Sequence, residues 1–149
     1  MELKNRIITH LTALLQERIK IYQAEWLTLQ QELGQSTKSS AGDKYETSVE
    51  MEQQSRNQLE KQLVQNKRHL TELELLKTEL NATSCKKGTL VHCSNQLLFI
   101  SIPFGKFIFE EKEILILGPT SPLAQVFLGK KEKETVVFAG KSYYIDKIE

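Results

Sequence analysis

Between Leu3 and Leu33 the chain has neither proline nor glycine, and its apolar residues recur in steps of three and four: Ile8, Leu11, Leu15, Ile19, Tyr22, Trp26, Leu29 and Leu33. That spacing confines the stretch to a helix with one apolar stripe, the seam of a coiled coil. The paired four-residue steps from Leu11 to Ile19 read as a stutter, a local loosening of the supercoil. A helix of about 30 residues is roughly 45 Å long, far more than a small core needs. One stripe must be covered by something else. The sequence supplies it in a second stretch free of proline and glycine, from about Asp43 to Leu80. Its seam reads Val49, Glu52, Arg56, Leu59, Leu63, Asn66, Leu70, Leu73 and Leu80, with Leu76 beside it. Two such helices joined by a short loop pack antiparallel. The seam predicts a pair that is leucine-rich at its base and polar near the turn.

The turn is predicted between Gly34, expected to end the first helix, and Asp43. Gln35 to Gly42 has loop composition, with no large apolar residue. The tip, residues 39–47, reads Ser-Ser-Ala-Gly-Asp-Lys-Tyr-Glu-Thr. Asp43 and Glu46 stand at i and i+3, so a helix beginning near Asp43 projects both from its first turn on roughly one face. A helix start favours acids through its free N–H groups and dipole, so an N-cap with a capping-box glutamate accounts for the pair locally. Both are expected to be solvent-exposed. Glu50 and Glu52 are expected to be solvated or seam residues.

Beyond a polar linker, Asn81 to Lys87, the apolar period changes from about 3.6 to 2. Strands are predicted at Gly88 to Cys93, Leu97 to Ile102, Phe107 to Phe109, Ile114 to Leu117, Thr135 to Phe138 and Ser142 to Ile148. Ala139-Gly140-Lys141 reads as the turn of a final hairpin. In the last strand Tyr143 and Ile145 alternate with Tyr144 and Asp146, so the first two should face a core. One short helix interrupts the strands. Ser121 is its expected N-cap, Pro122 its first residue and Gly129 its left-handed stop. The fold class is therefore α+β: an N-terminal antiparallel helical-hairpin coiled coil over residues 1–80, then a small antiparallel sheet domain with one short helix over residues 86–149.

Composition narrows the function. Charged residues make up 26% of the chain and hydrophobic ones 40%, values of a folded protein. A net charge of +1 lacks the basic excess of a general nucleic-acid binder. No apolar run reaches membrane-spanning length and the N-terminus has no apolar signal core, so a cytoplasmic protein is expected. Cys85 and Cys93 are too few for a zinc cluster, and His92 beside Cys93 points to the opposite face of a strand. They read as reduced structural thiols. No Ser-His-Asp or Cys-His arrangement stands out, and His10 and His69 are expected at the surface.

The tip Gly42-Asp43-Lys44-Tyr45-Glu46 on a long helical hairpin, followed by Ser121-Pro122-Leu123-Ala124 and Leu128-Gly129-Lys130-Lys131 before a closing hairpin, resembles the Gre family of bacterial transcript-cleavage factors. The family tip carries Gly-Asp-x-x-Glu, and its C-terminal domain a Ser-Pro-Leu-Gly…Gly-Lys segment. The resemblance covers nearly the whole chain. It implies an FKBP-like sheet domain that docks at the rim of the RNA polymerase secondary channel. It also implies a coiled coil that carries Asp43 and Glu46 to the polymerase active site. There the two carboxylates would help hold a magnesium ion shared with polymerase, and polymerase itself would cleave backtracked RNA. The implied docking residues are Ser121, Pro122 and Leu123, with Phe127 at i+4 expected in the core. The protein would be a monomeric accessory factor, not an enzyme, with no cofactor of its own, and would meet the RNA 3′ end only indirectly. Magnesium prefers six oxygen ligands and parts reluctantly with water, so two carboxylates can complete only a shell that a partner has begun. Here the family's Glu-Asn-Ala-Glu-Tyr is replaced by Glu46-Thr47-Ser48-Val49-Glu50. Three alternatives stay open: a Gre-like channel binder that modulates or inhibits polymerase without cleavage, a helical-hairpin adaptor for another protein, and a prolyl isomerase suggested by the FKBP-like base.

Overall fold

The computed structural model describes residues 2–36, 42–77, 82–94 and 96–149, with the side chains of 33–36 and 42–45 outside the description. The described elements are α1 (Leu3–Ser36), α2 (Gly42–Leu76), β1 (Leu90–Cys93), β2 (Gln96–Ile100), β3 (Gly105–Phe109), β4 (Lys112–Leu117), α3 (Pro122–Phe127), β5 (Thr135–Phe138) and β6 (Lys141–Ile148). The fold is α+β, as expected. The chain groups into two units, Leu11–Thr71 and Met1–His10 with Glu72–Glu149.

In the helical unit, Trp26 Nε1 donates to Glu60 Oε1 at 3.1 Å. Residues 22–32 of α1 share one groove with residues 55–62 of α2, and residues 23–27 share another with 60–67, so the helices run side by side and antiparallel. The seams carry the contact. Leu11, Leu15 and Ile19 are buried, then Tyr22, Trp26 and Leu29 are half-buried; on α2, Asn66 is buried while Leu63, Leu59, Arg56, Glu52 and Val49 are half-buried. Most positions between them are exposed. Leu33 and Leu80 fall outside the described side chains.

Two helix boundaries correct the sequence reading. Gly34 does not end α1, which continues to Ser36. Glycine costs only about 1 kcal/mol in a helix, little against a helix already propagating over some thirty residues. In turn, α2 begins at Gly42 and ends at Leu76 rather than Leu80. Of the predicted turn, residues 37–41 lie outside the described residues.

The sheet has strand order β3-β4-β2-β1-β6-β5. It is not wholly antiparallel: β2 and β4 pair parallel, Leu97 opposite Ile114 through Ile100 opposite Leu117. This follows from the β3–β4 hairpin, whose second strand inserts between β3 and β2. The hairpin turns at Glu110 and Glu111, both in the left-handed region at φ 50° and 64°. The Glu110 side chain also forms an ion pair with Arg6. The final hairpin turns at Ala139 and Gly140, at φ 50° and 75°, the two-residue geometry that suits strand twist. Lys141 thus opens β6 opposite Phe138 instead of belonging to the turn. Tyr143 and Ile145 are buried and Tyr144 and Asp146 exposed, as their alternation required. The core of this unit gathers Cys85, Val91, Leu98, Ile100, Phe127, Tyr143 and Ile145. No described helix is long and apolar enough to cross a membrane.

Candidate functional site

The acidic pair sits at the start of α2. With the helix beginning at Gly42, Asp43 stands inside the first turn rather than at its N-cap, and Glu46 one turn on. Glu46 is exposed; the Asp43 side chain lies outside the description. Further along α2 the face divides as expected, with Glu50 exposed and Glu52 half-buried on the seam. Glu52 is one of two charged residues where a coiled coil ordinarily puts aliphatic ones. Glu52 Oε2 and Arg56 Nε are enclosed with no hydrogen-bond partner among the described residues. Such orphaned atoms forfeit stability. The helices near this end are therefore held together less firmly than at Leu11 and Leu15.

The second set of site residues is on α3. Ser121 is the N-cap, its Oγ accepting from Ala124 N–H at 3.2 Å. Pro122 follows at the first helical position and is exposed; Leu123 is half-buried and Gln125 exposed. Gln125 Nε2 donates to Pro119 O at 2.7 Å, tying the helix to the preceding turn. Phe127 is fully buried and packs edge-on against Tyr143, with ring centroids 5.5 Å apart. It belongs to the core. Gly129 closes the helix at φ 85°. The exposed part of this short helix is Pro122 and Gln125, with Leu123 half-covered.

The remaining reactive groups are structural. Cys85 and Cys93 are buried free thiols. Burial, with the Glu134 charge, pushes Cys85 up to about 11. Burial, Cys85 and Asp146 push Cys93 up to about 12. Both thiols are therefore held in the protonated form near neutrality in this structure. His92 is engaged elsewhere: its Nε2 lies 2.5 Å from Glu149 Oε2, with Lys147 Nζ 3.4 Å from the other oxygen. Burial raises the Glu149 carboxyl, but the hydrogen bond and charge of His92 together with Lys147 outweigh it and hold the group below its ordinary 4.5. No group of three or more metal-ligating side chains occurs among the described residues.

Sequence reasoning missed several long-range contacts. His10 is exposed as expected, yet its ring lies 5.3 Å from both Phe107 and Phe109. His69 is half-buried. The Arg6–Glu110 and His92–Glu149 pairs join residues far apart in the chain, and no local pattern marks them. Trp26 was legible as seam, but its partner Glu60 was not. No protein-family model matches this chain, and no curated protein matches it.

Proposed function

We propose that this chain is a Gre-type accessory factor of bacterial RNA polymerase, acting in the cytoplasm as a monomer. In this reading the helix pair enters the secondary channel and brings Asp43 and Glu46 to the polymerase magnesium. Asp43 and Glu46 would hold that ion together with polymerase residues, and the ion would supply activation of the attacking water. Bond cleavage in the backtracked RNA remains the work of polymerase. The chain itself is not the enzyme and keeps no metal of its own.

One observation carries the reading: Glu46 is exposed in the opening turns of α2, three positions from Asp43. A capping box would also use both acids, and the cleavage test below separates the two roles. The FKBP-like docking module is the sheet unit, with Ser121, Pro122 and Leu123 meeting the channel rim. Gln125→Lys, which keeps a donor for Pro119 O and adds a charge, is expected to weaken polymerase binding without unfolding α3.

The test is RNA cleavage by a stalled polymerase with the parent protein and with Asp43→Asn/Glu46→Gln. The double variant keeps the shape and removes both charges. It should lose stimulation by about a hundredfold or more, since about 1.4 kcal/mol of barrier is tenfold, while still competing for the channel. Equal stimulation by both proteins rejects the acids as metal ligands. The altered residues Thr47-Ser48-Val49 after the tip favour one second reading. Competition for the channel by both proteins, with cleavage by neither, identifies a binder that modulates polymerase instead.

A further inference from the structure

We draw no further inference here: the strongest candidate, the outer edge of β5 with Val137 and Tyr144 exposed beside it, is flanked by exposed lysines and exposed acids alike, and nothing in the structure shows what covers it.

Discussion

The two halves of the helix pair share one architecture and differ in what fills the seam. Toward Leu11 and Leu15 the seam is aliphatic and closed. Toward Ser36 and Gly42 it is Tyr22, Trp26, Glu52 and Arg56, each half-buried. The first half is stabilised by removing apolar surface from water, a non-directional gain that survives small shifts. The second depends on directional contacts such as Trp26 to Glu60, and it encloses polar atoms that find no partner. Stability is thus unevenly distributed along a continuous pair of helices. The weaker half should open locally at a free energy below that of global unfolding.

The comparison can be broken by measurement. Leu15→Ala should cost about 2–5 kcal/mol in denaturant unfolding, the usual loss for a fully buried leucine. Trp26→Ala, in the half-buried half, should cost about 1–2 kcal/mol from lost area and one hydrogen bond. If Trp26 proves the costlier site, the two halves have been ranked wrongly. Glu52→Leu with Arg56→Leu should raise stability by about 1 kcal/mol, because apolar groups replace orphaned polar ones. Hydrogen exchange in residues 46–62 should slow in that variant. The sheet unit provides a control. The Glu149 carboxyl titrates below 4.5 when folded, so its contribution is present above that pH and fades as pH falls through the lower folded value. Glu149→Gln should lower stability at pH 7 by no more than about 1 kcal/mol and remove that part of the acid loss. Urea midpoints from pH 3 to 7 would show it, with exchange in the helix pair unchanged. Smallest of all, Asp43→Asn/Glu46→Gln should move the melting free energy by within about 0.5 kcal/mol, as surface changes do.

Much of this architecture was legible in the chain. Every described seam position from Ile8 to Leu29 and from Val49 to Leu76 is buried or half-buried, because a 3.5-residue period leaves a helix only one face to hide. Ser121, Pro122 and Gly129 marked α3 because caps act locally. Gly34 misled because its local penalty is small beside helix propagation. The parallel β2–β4 pair could not be read from alternation, which locates strands but not their neighbours. A better signal was available in Leu97-Leu98-Phe99-Ile100, buried without alternation, as an interior strand covered on both faces must be. At the candidate site, the spacing of Asp43 and Glu46 was plain. Their chemistry was not, since two acids at a helix start serve equally as caps.

The placement of β6 between β1 and β5 has a consequence for biosynthesis. Of the sheet's strands it is the last to leave the ribosome. Until it arrives, β5 has no neighbour, β1 is paired on one side only, and Tyr143 and Ile145 are missing from the core around Phe127. The helix pair, complete some sixty-five residues earlier, can form while the sheet waits. A nascent chain of this protein therefore passes through a stage with finished helices and an open sheet, its apolar Val136 and Phe127 uncovered, the stage at which such a chain is most prone to aggregate.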